Sequence, residues 1–199
     1  MNNKIIKTLL IIIVAFIVPV ILILTNIISF DYRFYVLEIS TIILFLYTRL
    51  TQISLNKLGF TTKNLKPSLI QLLPLTLGLS IFMLITYSLG WVRLPENFTI
   101  TWKFYLFFVF ISSPSQEFLY RGFLFWLFED INIIPRNRII LSSVLYSFVH
   151  AIYWDLPTLI ITLVIGLIWG QNYEKYRNLY SVIFSHSVLG AVAIMVGLI

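Results

Sequence analysis

Long apolar runs, separated by short charged or polar breaks, divide the chain into about seven segments. These segments cover residues 8–29, 32–48, 68–92, 104–128, 139–154, 156–173 and 178–199. Most of them approach the roughly 20 residues that a helix needs to cross a bilayer. A segment in lipid must satisfy its own backbone hydrogen bonds, so spanning segments are helices. The pattern predicts an all-α, polytopic membrane bundle of about seven transmembrane helices.

The first segment follows a charged start, with Lys4 and Lys7, as a secretory signal peptide does. Its apolar part, residues 8–29, is long enough to span a membrane, and no small-residue cleavage site follows it. We therefore expect a retained first helix.

Lys and Arg residues are distributed unevenly between the two sides of the predicted bundle. With a cytoplasmic N-terminus, ten lie on the cytoplasmic side: Lys4, Lys7, Arg49, Lys57, Lys63, Lys66, Arg136, Arg138, Lys175 and Arg177. Three lie outside: Arg33, Arg93 and Lys103. Because basic loops stay inside, this bias predicts that the N-terminus is cytoplasmic. We expect the basic connector of residues 49–68 to lie against the anionic inner leaflet.

The composition supports an integral membrane protein. Hydrophobic residues make up 59% of the chain, charged residues 11%, and the mean hydropathy is +0.94, which leaves too little polar surface for a soluble domain. The absence of cysteine excludes disulfides, thiol catalysis and cysteine-based zinc sites. The net charge of +6 is spread over short loops, so we expect no nucleic-acid partner. No repeat is visible, and we predict one integral membrane domain, 1–199.

Five ionisable residues fall within the predicted helices: Glu38, Glu117, Arg121, His150 and His186. Placing an ionisable side chain in lipid costs free energy, so such residues are first interpreted as functional. Glu38 lies near the outer end of its segment, where it can reach the headgroups or pack. Glu117 and Arg121 are four residues apart and can pair on one helix face. A structural ion pair and two packed histidines would explain the same residues without chemistry.

The depths of three of these residues favour a shared site. At about 1.5 Å per residue, Glu117, His150 and His186 lie roughly 18, 18 and 12 Å from the same side of the bundle. One carboxylate and two imidazoles near a common level can polarise a water molecule, directly or through a metal ion.

Three stretches of the sequence, QEFLYRG, YSFVH and IGLIWGQNYEKYRNLYSVIFSHSVLG, carry a family resemblance. In order and spacing they resemble the motifs of the CPBP family, the CAAX-protease and bacteriocin-processing membrane proteins related to the Rce1 prenyl-protease and the ABI group. The resemblance covers residues 104–195. It implies an intramembrane endopeptidase of a bacterial cell membrane that acts without a cofactor. Its implied partners are the lipid bilayer and a membrane-associated or prenylated peptide.

The resemblance assigns family positions to five residues. Glu117 takes the second Glu position of the first motif, and Arg121 takes its Arg position. Tyr146 occupies the aromatic position of the second motif and His150 its His position. His186 takes the His position of the third motif. The resemblance implies that Glu117, Arg121, His150 and His186 are the catalytic residues and that Tyr146 lies beside them.

Two positions depart from the family pattern. Gln116 stands where the family has the Glu that activates water, and an amide has no useful basicity. Gly190 stands where an Asn that helps to bind the oxyanion is expected. Three explanations of Gln116 remain open: Glu117 supplies the carboxylate, the protein is a natural pseudoenzyme, or the Glu has been replaced by design. The first needs a distorted helix, which Pro114 could supply.

The resulting hypothesis is peptide hydrolysis by water, without a covalent intermediate. Glu117 activates the water beside His150, His186 polarises the scissile carbonyl, and Arg121 orients the Glu117 carboxylate. An alternative is zinc bound by Glu117, His150 and His186. The rival function is a catalytically silent pseudoprotease that serves as a membrane scaffold or binding protein. A transporter is less well supported, because no internal repeat is visible.

Overall fold

The computed structural model describes residues 3–91 and 101–198. Within these ranges the chain forms seven helices and no strand. They are α1 Asn3–Leu24, α2 Arg33–Leu50, α3 Leu65–Ser88, α4 at residues 102–130, α5 Pro135–Val149, α6 Leu156–Tyr176 and α7 Leu179–Met195. The predicted all-α bundle is confirmed, and each predicted apolar segment overlaps one helix. The predicted segments and loops also include residues 92–100 and 199, which lie outside the described residues. Arg93 is one of them.

Local chemistry explains where the helices begin and end. The first helix stops at Leu24 rather than near residue 29, because Asn26 adopts a left-handed conformation with φ of +57°. The α6 helix begins after Asp155, whose carboxylate accepts a hydrogen bond from the Thr158 backbone N–H at 2.8 Å. The α7 helix begins in the same way after Asn178, whose side-chain oxygen accepts from the Ser181 N–H at 3.1 Å.

Three helices, α1, α3 and α6, are long and apolar enough to cross a membrane, and α7 is a shorter apolar helix. The outer faces of α1, α3 and α6 carry large apolar side chains that are more than half exposed, such as Val14, Ile81 and Ile161. Such a surface suits contact with lipid rather than water. The expected count of seven spanning helices stays a prediction.

The α4 helix runs through the centre of the bundle. Its side chains from Ser112 to Phe128 are all buried except those of Pro114 and Trp126, which are half-buried. Phe118, Phe123 and Phe125 lie in the main hydrophobic core, together with Tyr173 from α6. The helix that carries the first motif is therefore the one most completely shielded from lipid.

Winding in α4 is irregular around this motif. Residues Phe108–Ser112 and Phe118–Phe123 form π-helical turns on either side of an α-helical stretch, Ser113–Glu117. The Ser113 N–H donates to the Phe108 carbonyl five residues back. The next residue, Pro114, has no N–H to offer to Val109. The Val109 carbonyl instead accepts from the Ser187 hydroxyl of α7 at 3.2 Å. The expected distortion near Pro114 is thus present.

Small and polar residues join the other helices closely. A Cβ at Gly166 of α6 would lie 3.2 Å from the Cβ of Ser143 on α5, so the two backbones approach at this glycine. Between α3 and α7, the Ser68 and Ser181 hydroxyls are 2.5 Å apart. Small residues and interhelical hydrogen bonds of this kind hold helices together in lipid.

Four charged residues form a cluster at one end of the bundle, which we call the clasp: Glu129, Arg138, Glu174 and Arg177. Arg138 lies 2.9 Å from Glu129 and 2.6 Å from Glu174, and Arg177 pairs with both acids. The clasp links the ends of α4, α5 and α6.

The connector of residues 49–68 packs partly into the bundle, which differs from the expected position along the membrane surface. Leu58 is fully buried, and the Gly59 carbonyl accepts from the Leu179 N–H at 2.8 Å. Gly59 has a φ of +83°, a conformation that favours glycine. The Asn178 side chain donates to the Thr61 carbonyl at 2.6 Å. The connector therefore fixes the start of α7.

Candidate active site

A buried carboxylate joins α4 to α7. The side chains of Glu117 and Arg121 have no solvent exposure. Arg121 Nη1 donates to Glu117 Oε1 at 3.1 Å, and His186 Nδ1 lies 2.6 Å from the same oxygen. The other carboxylate oxygen, Oε2, is buried and has no hydrogen-bond partner among the described residues. The predicted i,i+4 pair is present, and His186 completes a three-residue group.

Aromatic rings enclose this group. The Arg121 guanidinium lies over the Tyr146 ring, 4.2 Å from its centroid, a distance typical of a cation–π contact. The His186 ring stacks on Trp169 at 4.8 Å, with 25° between the ring planes. The Trp169 indole N–H donates to the Ser185 hydroxyl at 3.0 Å, which holds the indole in place. The position of His186 is therefore fixed by stacking as well as by Glu117.

His150 lies at the end of α5 and is half-buried. Its Nδ1 is 2.8 Å from the Tyr146 carbonyl oxygen, which can only accept, so Nδ1 carries a proton and Nε2 is the free nitrogen of the neutral ring. The Tyr146 ring lies 4.9 Å from the His150 ring and 5.9 Å from the His186 ring. Tyr146 thus contacts both imidazoles. No hydrogen bond joins His150 to Glu117 in the described part of the chain.

His186 has the same proton arrangement as His150. The Glu117 carboxylate accepts at Nδ1, so this nitrogen carries a proton and Nε2 is left without a protein partner among the described side chains. Two imidazoles, both with Nδ1 fixed by an acceptor, therefore offer Nε2 for chemistry.

Gln116 is buried next to Glu117 but takes part in a different contact. Its side-chain amide donates to the Ser112 hydroxyl at 3.2 Å, one turn earlier in α4. Glu117 faces Arg121 and His186 and does not take over the position of Gln116, even though the helix is distorted on both sides.

Gly190 lies against the aromatic ring of Phe108. A Cβ at this position would lie 2.5 Å from Phe108 Cε1 and closer still to Cζ. The Phe108 ring also meets the His186 ring edge-on at 5.9 Å. The space in which an Asn side chain would begin is thus occupied by Phe108.

A contact that the sequence did not predict links α2 to Ser115, the residue just before the first motif. The Ser115 hydroxyl donates to Glu38 Oε2 at 2.7 Å. The only signal in the sequence was an acidic residue inside an apolar segment. Glu38 therefore turns toward α4 rather than toward the headgroups.

No group of three or more His, Asp or Glu side chains within residues 3–91 and 101–198 is arranged to hold a metal ion. Glu117 Oε1 is occupied by two nitrogen donors. Zinc at Glu117, His150 and His186 stays an alternative hypothesis.

Comparison with known proteins connects this geometry to a family. Residues 97–192 match the family model described as type II CAAX prenyl endopeptidase, Rce1-like. That range contains all seven residues singled out by the sequence motifs, whereas Glu38 lies outside it. No curated protein and no solved structure gives a significant match. Over residues 97–192 the chain is therefore similar to the CPBP family of CAAX-protease-like membrane proteins.

Proposed function

We propose that this protein is an intramembrane endopeptidase that hydrolyses a peptide bond in a membrane-associated, prenylated CAAX-type peptide. The observation that carries the proposal is the buried contact of 2.6 Å between Glu117 and His186. His150 is held nearby, because Tyr146 packs against both histidine rings. Two imidazoles with free Nε2 atoms, held inside a membrane bundle, suit the polarisation of a peptide carbonyl and of water.

His186 is the group that polarises the scissile carbonyl in this proposal. When its ring is protonated, Nε2 donates to the carbonyl oxygen and stabilises the negative charge that develops there. Glu117 balances the charge of the imidazolium, and Arg121 balances that of Glu117. Because Arg121 and His186 both bind Glu117 Oε1 and the whole side chain is enclosed, we assign Glu117 to the positioning of His186 rather than to the activation of water that its sequence position suggested.

His150 holds the nucleophilic water. Its Nε2 accepts a hydrogen bond from that water, because Nδ1 already donates to the Tyr146 carbonyl. The water oxygen bonds to the carbonyl carbon, the carbon–nitrogen bond of the peptide then breaks, and the proton lost by the water passes to the leaving amine.

Hydrolysis of an internally quenched farnesylated CAAX peptide by purified protein in liposomes tests this function. We expect turnover by the unaltered protein and a loss in kcat of about 10³- to 10⁴-fold in Glu117→Gln, the scale seen when the carboxylate that orients a catalytic histidine is removed. His150→Ala should also lose turnover. Thr162→Ala is the control, since its hydroxyl bonds only the α6 backbone.

Unaltered kcat in Glu117→Gln would overturn the role of the Glu117–His186 pair. Absence of turnover in the unaltered protein, with intact folding and a broad peptide panel, would overturn the enzyme proposal and leave the pseudoprotease.

A further inference from the structure

Glu38 brings a second carboxylate to the turn of α4 that carries Gln116. Its Oε2 accepts from Ser115, the residue immediately before Gln116. Its Oε1 is buried and has no hydrogen-bond partner among the described residues. One carboxylate oxygen is therefore anchored and the other is free to accept a proton.

Two aromatic residues lie on the face of α2 that carries Glu38. Phe34, one turn earlier, packs on Phe107 at 5.3 Å, and Phe45, two turns later, packs on Phe118 at 5.9 Å. These contacts, together with the Ser115 hydrogen bond, show that residues 34, 38 and 45 face α4. Glu38 thus lies on the face of α2 that is turned toward α4.

A structural role alone is a poor explanation for this residue. A serine hydroxyl in a helix commonly bonds a backbone carbonyl, as Ser143 does with Ile139, and needs no acid. A carboxylate with one buried, unpaired oxygen is costly in an apolar environment.

Three other glutamates of the bundle already bind basic side chains. Glu117 is bound to Arg121 and His186, and Glu129 and Glu174 belong to the clasp. Glu38 is the remaining acid that the described residues place against this part of α4.

We propose that Glu38 is the proton acceptor for the nucleophilic water, in place of the carboxylate that position 116 lacks; this role rests on the proposed endopeptidase function. The water oxygen forms a bond to the scissile carbonyl carbon while its proton moves to Glu38 Oε1. When the tetrahedral intermediate collapses, the carbon–nitrogen bond breaks and Glu38 returns the proton to the leaving amine. No oxidant, reductant or second reactant is needed.

The test compares the unaltered protein with Glu38→Gln, with Glu38→Gln combined with Gln116→Glu, and with Asp31→Asn. Glutamine at position 38 keeps an oxygen acceptor for Ser115, so packing is preserved. Asp31 is an exposed carboxylate just before the same helix begins, and it serves as the control. Each protein is assayed in liposomes with the quenched farnesylated peptide, and its thermal midpoint is measured in detergent.

We expect Glu38→Gln to lower kcat by about 100-fold or more, since a general base contributes about 10²- to 10⁴-fold. KM and the thermal midpoint should stay within error, and Asp31→Asn should behave as the unaltered protein. The double variant, with Gln116→Glu added, should have a kcat at least about tenfold higher than that of Glu38→Gln alone, because the second change returns a carboxylate to the same turn of α4.

A kcat within threefold of the unaltered value in Glu38→Gln would overturn the role of Glu38 while leaving the endopeptidase function standing. If Glu38→Gln lowers kcat and the added Gln116→Glu change does not raise it again, Glu38 has a structural role and is not the proton acceptor. If no protein in the series, including the unaltered one, turns over substrate, the endopeptidase function itself fails and this inference fails with it.

Discussion

Replacing Gly190 with alanine should destabilise the bundle, although alanine is the better helix former. The new Cβ would lie 2.5 Å from Phe108 Cε1, whereas carbon atoms in contact normally lie about 3.5–4.0 Å apart. The Phe108 ring must therefore move by about 1 Å. The ring is 5% exposed and packs against α7 at both Gly190 and His186, so it has little room to move.

The expected magnitude combines two opposing effects. Overpacking a core of this kind costs about 1–3 kcal/mol. Replacing a helical glycine with alanine returns about 0.5–1 kcal/mol. The net loss in the free energy of unfolding should be about 1 kcal/mol from the middle of these ranges and at most about 2.5 kcal/mol, which lowers the thermal midpoint at about 2–4 °C per kcal/mol.

Gly78 provides a matched control for this experiment. It lies within α3, and a Cβ there meets nothing within 4 Å. Gly78→Ala should therefore show only the helix-propensity gain and raise the midpoint. The assay is thermal unfolding of both variants in the same detergent.

A midpoint that rises in Gly190→Ala as it does in Gly78→Ala would refute the reasoning. A further check is the combination of Gly190→Ala with Phe108→Leu. The smaller side chain at 108 should make the alanine less harmful than it is in the single variant, because the two sites are in contact.

Two further predictions concern the metal alternative and the clasp. Turnover should survive chelation with EDTA; its loss, with recovery on addition of zinc, would instead favour a metal site at Glu117, His150 and His186. Arg138→Gln should lower the free energy of unfolding by about 3 kcal/mol, because it leaves Glu129 and Glu174 without that partner at a largely buried site. Asp130→Asn, at an exposed pair, should change it by less than about 1 kcal/mol, and similar losses in both variants would contradict this ranking.

The sequence predicted those features that depend on spacing along one helix. Apolar runs located all seven helices, and the four-residue interval between Glu117 and Arg121 predicted their ion pair. Pro114 indicated a distortion because its missing N–H is visible in the sequence. The motif resemblance placed His186 in the same site as Glu117, and the two are in contact.

Features that depend on the rotation of one helix against another were not predictable in this way. Glu38 faces Ser115 because Phe34 and Phe45 pack on α4, and no residue count along α2 contains that information. Gly190 in the sequence indicated that the Asn of the family pattern is missing. It did not indicate that the Phe108 ring fills the space of that side chain. The enclosure of Glu117, which changed its proposed role, depends on α6 and α7 together.

The π-helical turn at Phe108–Ser112 has a consequence for insertions and deletions in this helix. A π turn holds one more residue than the α turn that it replaces, so it behaves as a one-residue insertion absorbed within a continuous helix. Loss of one residue there could be accommodated by a return to α winding, with Gln116 and Glu117 left on their present faces. Loss of one residue between Ser113 and Gln116 would rotate Glu117 and Arg121 together by about 100° and move them away from His186 and Tyr146. Length variation among related chains should therefore be tolerated in the π turn at Phe108–Ser112 and not in the α-helical stretch Ser113–Glu117.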